Sequence, residues 1–241
     1  MKLTIAKQLV IANYSTLNMS ISQSYDLTKI ILTNVLSSDI VSSQGGIVMD
    51  STEKRLGNVA EITAGLTGFA DKGKYRYSVV QPNSFTDTGL MNEVDVQRRS
   101  DELTDKQLLS VGDILVKRLN PSFVHVVALE SAGMVASQNI LVVRPGAEID
   151  PDYLGYLLEQ KDILGQVEHL TGSTAAIKAV SVKKLAGITI PVIPLIEQRK
   201  VGAIWKLSRK RKQLLNEYMA ENDRLVSLLA SQIINGGGNR R

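Results

Sequence analysis

Cysteine is absent from this sequence of 241 residues, which also has only 2 histidines and 5% aromatic residues. Without cysteine the chain has no disulfide framework, no cysteine-ligated zinc or iron–sulfur centre and no thiol nucleophile. His125 belongs to an alternating apolar segment and His169 to the end of a helical pattern, so both are interpreted as structural. We therefore predict no metal site.

Long apolar runs are also missing. No segment reaches the roughly 18 to 20 consecutive apolar residues that a membrane-spanning helix needs, and the N-terminal residues lack the apolar core of a signal peptide. We therefore expect a soluble, cytoplasmic protein with no membrane partner. The net charge of +4 is mild, so an argument for nucleic-acid binding depends on where the basic residues lie.

Pattern divides the chain into four regions. Residues 1–50 repeat apolar residues at helical spacing and predict an N-terminal helical extension that ends at Gly45 and Gly46. Residues 55–192 contain short β-branched runs separated by Gly, Pro, Asn and Asp, which predicts a mixed, strand-rich domain. The predicted strands are residues 59–63, 77–81, 113–116, 124–129, 140–143 and 187–191. Asp150 and Pro151 open a helix in this domain as N-cap and first helical residue, and that helix is expected to end near Gly172.

Residues 194–235 predict one long helix, followed by a disordered tail at residues 236–241. A helix of about 40 residues is about 60 Å long, more than the preceding domain can cover. Apolar residues recur along this helix every three to four positions and form a stripe, which needs a partner helix to cover it. The predicted partner-facing residues are Ile204, Leu207, Arg211, Leu214, Leu215, Tyr218, Asn222, Leu225 and Leu229. The fold class is thus α+β.

Motifs of enzymes are missing or incomplete. The sequence has no phosphate-binding P-loop, dinucleotide-binding glycine motif, zinc-protease motif or hydrolase nucleophile motif. Asp152, Glu159 and Lys161 superficially resemble the acidic and lysine residues of a magnesium-dependent nuclease, but both acids fall in one predicted helix. Asn120 begins a segment similar to the adenine-binding motif of amino-methyltransferases, although its second proline is missing. A plain turn is the better interpretation.

Three groups of basic and polar residues are candidates for contacts with DNA. Such side chains bind phosphates, hydrogen-bond to base edges or stack on bases. One group lies in a glycine-bounded segment, the second follows a strand into a turn, and the third follows the helix of the domain. Their members are Lys72, Lys74, Tyr75, Arg76 and Tyr77, then Lys117, Arg118 and Asn120, then Ser173, Thr174 and Lys178.

The order of several motifs resembles the specificity subunit of type I restriction-modification systems, in a half-length form with one target recognition domain. The matching segments are residues 56–62 (LGNVAEI) with Gly65, 112–116 (GDILV), 136–145 (ASQNILVVRP), 150–154 (DPDYL), 172–174 (GST) and 190–200 (IPVIPLIEQRK). Together they extend over residues 56 to about 234. Their common order makes the resemblance specific.

The resemblance implies a DNA-reading scaffold without catalysis. In that family a target recognition domain reads a few base pairs, largely through the major groove of double-stranded DNA. The long helices set the distance between the two recognition domains and bind adenine-N6 methyltransferase subunits. The complex can add a restriction subunit that combines motor and nuclease. No cofactor is then expected in this chain, because S-adenosylmethionine, ATP and magnesium would belong to partner subunits.

Two departures from the family pattern qualify these expectations. A full-length member has two recognition domains and two antiparallel helices, whereas this chain has one of each. We therefore predict an antiparallel homodimer, with the long helices paired as a coiled coil, and pairing with a different half-subunit is the alternative. The extension at residues 1–50 precedes the usual start of the recognition domain. A stand-alone DNA-binding regulatory protein of the same fold is the alternative function.

Overall fold

The computed structural model describes residues 51–86, 91, 94–119, 124–163, 165–166 and 179–236. The predicted extension at residues 1–50 and residues 237–241 of the predicted tail lie outside the described residues. The elements in chain order are β1 Thr52–Arg55, α1 Leu56–Val59, β2 Ala60–Ala64, β3 Tyr75–Val80, β4 Asp95–Arg99, β5 Ile114–Lys117, β6 Val124–Val126, β7 Val135–Ala136, β8 Ile140–Pro145, α2 Pro151–Leu158, α3 Val182–Gly187, β9 Thr189–Val192 and α4 Leu195–Gly236.

The strands form three sheets. The central sheet is antiparallel in the order β2-β8-β5-β6, a second sheet has the order β4-β3-β7, and β1 pairs with β9. In the second sheet β3 is antiparallel to β4 and parallel to β7. A mixed strand-rich domain followed by a long C-terminal helix confirms the predicted α+β class.

The central sheet is buried on both faces. Side chains alternate along a strand, so Leu141 and Val143 of β8 pack into one core cluster with α2, whereas Ile140 and Val142 pack into a second cluster. The second cluster also contains Val80 at the end of β3. The helices and the β3 sheet therefore cover opposite faces of the central sheet, and β3 is anchored to the core at its C-terminal end.

An ion pair between buried Asp113 and half-buried Arg144 fixes the start of β5 against β8. Asp113 is 1% exposed, and its carboxylate accepts hydrogen bonds from Arg144 Nε at 2.8 Å and Nη2 at 2.7 Å. The Ser110 amide also donates to Asp113, and Arg144 Nη2 donates to the Leu108 carbonyl. The bond to Asp113 raises the pKa of Arg144, so this guanidinium stays charged.

Helix α2 begins as predicted but ends earlier than expected. The Asp150 carboxylate accepts a hydrogen bond from the Tyr153 amide at 3.0 Å, and Pro151 occupies the first turn. The helix ends at Leu158 instead of near Gly172, although residues 161–163 and 165–166 are again helical. The Gln160 side chain donates to the Tyr156 carbonyl at the helix end, and Glu159 turns its carboxylate toward α4.

Helix α4 is joined to the domain by one fully buried polar side chain. Gln198 has no exposed surface. Its amide nitrogen donates to the carbonyls of Glu148 at 3.0 Å and Ile193 at 2.8 Å, and its oxygen accepts from the Asp150 amide at 2.7 Å. These three bonds satisfy backbone groups beside the first turns of both α2 and α4, so they fix the angle between the two helices.

Helices α2 and α4 approach so closely that glycine is required. A Cβ at Gly202 would lie 2.8 Å from the Asp152 Cβ and 2.9 Å from the Tyr153 amide nitrogen, and a Cβ at Gly155 would lie 2.7 Å from the Trp205 ring. Further along α4, Trp205 Nε1 and Arg209 Nη1 donate to the Glu159 carboxylate at 3.0 and 2.7 Å. Arg209 also donates to the Val124 carbonyl and lies 4.9 Å from the centre of the Trp205 ring.

Replacement of Gly202 by valine tests this close approach. We expect the Gly202→Val chain to lose about 1–3 kcal/mol of unfolding free energy, because the added side chain overlaps α2. Helix propensity alone favours valine over glycine, so a loss would report the contact between the helices. Urea unfolding measures the effect, with Ala203→Val at the adjacent exposed position as the control. Equal stability of the two variants would contradict the packing.

No helix within the described part of the chain is both long enough and apolar enough to span a membrane.

Candidate nucleic-acid interface

The first predicted group of DNA contacts lies on β3 and the residues just before it. Lys72, Lys74 and Arg76 are exposed, whereas Tyr75 and Tyr77 are half-buried. Lys74 Nζ lies 4.9 Å from the centre of the Tyr75 ring. The Tyr77 hydroxyl accepts a hydrogen bond from the Leu103 amide at 2.8 Å. Tyr77 therefore has an anchoring contact within the domain, while the three cations are available at the surface.

Strands β3 and β4 form an antiparallel ribbon with two different faces. Arg76 is paired with Arg98, and Ser78 is paired with Val96. Directly opposed residues of antiparallel strands project from the same face, so these four side chains share one face. We call it the arginine face. Arg98 Nη1 donates to the Gly73 carbonyl at 3.2 Å, and Arg76 is exposed.

The opposite face of the ribbon is tied to the rest of the domain. Arg99 Nε and Nη2 donate to the Asp101 carboxylate at 3.1 and 2.8 Å, and Arg99 Nη1 donates to the Thr67 carbonyl. The Arg99 guanidinium lies 5.2 Å from the centre of the Phe69 ring. The hydrogen bonds from Arg99 lower the pKa of Asp101 below its usual range. Arg99 is therefore held in place within the domain.

The second predicted group follows β5. Lys117 is half-buried and Arg118 is exposed. The Arg118 amide donates to the Asn139 carbonyl at 2.9 Å, and the Arg118 carbonyl accepts from the Val180 amide at 2.8 Å. The backbone at Arg118 is thus fixed on both sides, although its side chain faces solvent.

The turn between β7 and β8 lies between these two groups. The Ser137 amide donates to the Val80 carbonyl at the end of β3, at 2.9 Å, and Asn139 binds the backbone of Arg118. Gln138 and Asn139 are exposed. The side-chain amides of Gln138 and Asn139 are suited to hydrogen bonds with base edges, and the turn connects the two groups. The sequence indicated this turn only as part of the family resemblance.

Of the remaining predicted DNA contacts, Asn120, Ser173, Thr174 and Lys178 lie outside the described residues. Sequence reasoning also missed Val96 and Arg98 of the arginine face. Two adjacent arginines, at 98 and 99, were the available signal.

The acids of the nuclease alternative have partners in the contact between domain and helix. Glu159 binds Trp205, Arg209 and the Val124 amide, and Asp152 lies 3.3 Å from Lys206 Nζ. Lys161 is exposed. Among the described residues no three His, Cys, Asp or Glu side chains are grouped so that they could hold a metal ion.

Helix α4 has two opposite faces. Gln198, Gly202, Trp205 and Arg209 contact the domain, as described above. Three residues of the predicted stripe each lie two positions after one of these contact residues: Ile204, Leu207 and Arg211. Two residues rotate a helix by about 200°. The stripe therefore points away from the domain.

Most of the stripe is uncovered in this chain. Ile204 is 52% exposed, and the large apolar side chains from Leu214 to Ile233 are 44–77% exposed. Leu207 is half-buried, and Arg211 and Asn222 are exposed. The 27 residues of α4 that follow Arg209 extend for about 40 Å. A continuous apolar face of this length on a single helix is typical of an interface.

Two solved structures share this fold. The HsdS subunit from Thermoanaerobacter tengcongensis is 20% identical over 74% of this chain and 47% of that chain, with a TM-score of 0.54. A second, described for complex assembly and conformational transition of the type I R-M system, is 17% identical over 92% of this chain and 57% of that chain, with a TM-score of 0.56. No protein-family model and no curated protein matches the chain.

These comparisons confirm, at the level of the fold, the resemblance that the sequence motifs indicated. The chain spans about half the length of the solved proteins it matches. The part of the fold that the chain contains is one strand-rich domain and one long helix.

Proposed function

We propose that this chain is a non-catalytic DNA-specificity subunit of a type I restriction-modification system. Its domain reads one half of a bipartite target, and α4 tethers adenine-N6 methyltransferase subunits. The observation that carries the proposal is the two-faced helix: one face is rigidly joined to a domain with exposed basic residues, and the other is apolar and uncovered. The fold shared with HsdS supports the same conclusion.

The uncovered stripe supports pairing with a second copy of the chain. Its spacing suits knobs-into-holes packing, and Asn222 within the stripe is suited to fixing register. Charge favours the antiparallel direction. Residues 210–212 are three consecutive cations, whereas Glu217, Glu221 and Asp223 follow on the same helix. Antiparallel pairing brings the basic part of one helix toward the acidic part of the other, and parallel pairing opposes like charges.

An antiparallel homodimer presents two identical reading domains related by twofold symmetry. Its target is then an interrupted palindrome, with the gap set by the paired helices. Pairing with a different half-subunit would give an asymmetric target instead. In either assembly, S-adenosylmethionine binds to the methyltransferase partner, and ATP and magnesium to a restriction partner where the system has one.

Co-expression of the full chain with the methyltransferase subunit of the same host tests the proposal. We expect the two to purify as one complex and to transfer methyl groups from S-adenosylmethionine to adenine within one bipartite sequence. The chain alone is expected to bind that sequence without methylating it. Sequence-specific binding without any complex would favour the stand-alone regulatory protein. Magnesium-dependent cleavage by the chain alone, abolished by Asp152→Ala, would support the nuclease alternative.

A further inference from the structure

We propose that the arginine face of the β3–β4 ribbon is the element that reads bases, with Arg76, Val96 and Arg98 as the specificity-determining residues. This inference rests on the proposed function, because it takes double-stranded DNA as the ligand. It assigns base recognition to a particular sheet face, and two of its three residues come from a strand that the sequence did not predict.

Two directly opposed arginines point to an anionic ligand. Arg76 and Arg98 are cross-strand partners, and like charges at such positions destabilise a sheet. Among the described residues no carboxylate forms an ion pair with either guanidinium, and Arg98 bonds to the Gly73 carbonyl. Arginine is also the side chain that most often pairs with guanine in the major groove, through two parallel hydrogen bonds. A DNA groove supplies both the negative potential and such an acceptor pair.

Val96 distinguishes this face from a surface that only binds phosphate. It is 55% exposed and shares the face with two arginines, two residues from Arg98 along β4. An apolar side chain gains nothing from a phosphate, whereas it packs well against the methyl group of thymine. The combination of two guanidinium groups and one apolar side chain therefore fits base edges.

The ribbon has the size and rigidity that groove reading requires. Two strands lie about 4.8 Å apart, and the five paired positions extend for about 17 Å, so the ribbon fits a major groove about 12 Å wide. On its other face, Arg99 and Tyr77 bind Asp101 and the Leu103 amide. The end of β3 is anchored by buried Val80. A ribbon held in this way pays little ordering entropy on binding.

The test selects DNA from a random-sequence double-stranded library with the full chain and three variants. Arg76→Gln and Arg98→Gln are each expected to lose preference at one or two base pairs of the wild-type sequence, by roughly 5- to 150-fold. Val96→Ser is expected to lose preference for an A·T pair. Arg55→Gln and Val111→Ser are matched controls, because Arg55 is an exposed strand arginine and Val111 is 62% exposed. Both should select the wild-type sequence.

Each outcome decides between the two proposals. If the three variants select the wild-type sequence, with affinity unchanged or lowered equally on all sequences, the arginine face does not read bases and only this inference is overturned. If the wild-type chain selects no sequence, alone or with its methyltransferase, the proposed function is overturned as well. A thermal unfolding midpoint equal to that of the wild type will show, for each variant, that an altered selection does not come from misfolding.

Discussion

Leu215→Glu is expected to convert a dimeric chain into a monomer. Leu215 is 52% exposed on the stripe of α4, and in the proposed antiparallel pair it is buried against the partner helix. Light scattering of the purified chain should give the mass of two chains for the wild type and of one chain for the variant. Leu225→Glu, lower on the same stripe, should have the same effect.

The expected magnitude comes from burial and from symmetry. Burying a leucine contributes about 1.5–3 kcal/mol, and a glutamate in the same seam adds a cost for desolvating its charge. Every dimer carries the substitution twice, so a loss of about 3 kcal/mol per site becomes about 6 kcal/mol per dimer. That corresponds to a dissociation constant about 10⁴-fold higher. A variant dimer weakened by this factor dissociates at protein concentrations at which a tight wild-type dimer stays intact.

The adjacent residue provides the control. Asn216 is exposed, and it lies on the face of α4 opposite to the stripe, since it is seven residues from Arg209. Asn216→Glu changes the charge by the same amount and should remain a dimer. A dimeric Leu215→Glu chain would show that the stripe is not the interface between copies. A monomeric wild-type chain would indicate that the stripe binds a different half-subunit or the methyltransferase.

The parts of the fold that sequence could predict are those with strong periodicity. Strands β5 and β8 are β-branched and buried on both faces, and they were predicted within two residues of their observed ends. The long helix was predicted to begin at residue 194 and begins at Leu195. Strand β1, with the sequence TEKR, and β4, with DVQRR, were missed because charged, half-exposed strands lack an alternating apolar pattern.

The candidate site was predictable only in part for a related reason. Arg76 was identified from its basic neighbours in sequence, but its cross-strand partner Arg98 is 22 residues away and became visible only through the register of β3 and β4. Likewise, the stripe of α4 was apparent from spacing alone. The opposite, domain-contacting face was not, because Gln198 and Gly202 act through contacts with residues about 50 positions earlier.

Gln198→Leu is expected to cost about 3–5 kcal/mol of unfolding free energy. Leucine has a similar size and suits a buried position, so the loss would not come from a cavity. It comes from three backbone groups that lose their partners: the Asp150 amide and the carbonyls of Glu148 and Ile193. Each unsatisfied buried group costs about 1–3 kcal/mol. Urea unfolding of both chains at the same protein concentration measures the change, because dimer dissociation then contributes equally to the two values.

The same substitution elsewhere on α4 separates this cost from a general effect of replacing glutamine. Gln213 accepts a hydrogen bond from Lys210 Nζ at 3.4 Å and donates one to Glu217 at 2.7 Å, and both partners are exposed side chains of the same helix. Gln213→Leu should therefore change stability by less than about 0.5 kcal/mol. If Gln198→Leu were equally mild, the buried amide would not be what joins the helix to the domain. If Gln198→Leu does cause the large loss of stability, the Gln198 amide holds the reading domain at one angle to α4. Gln198→Leu should then also relax the gap length that the assembled dimer accepts between its two half-sites.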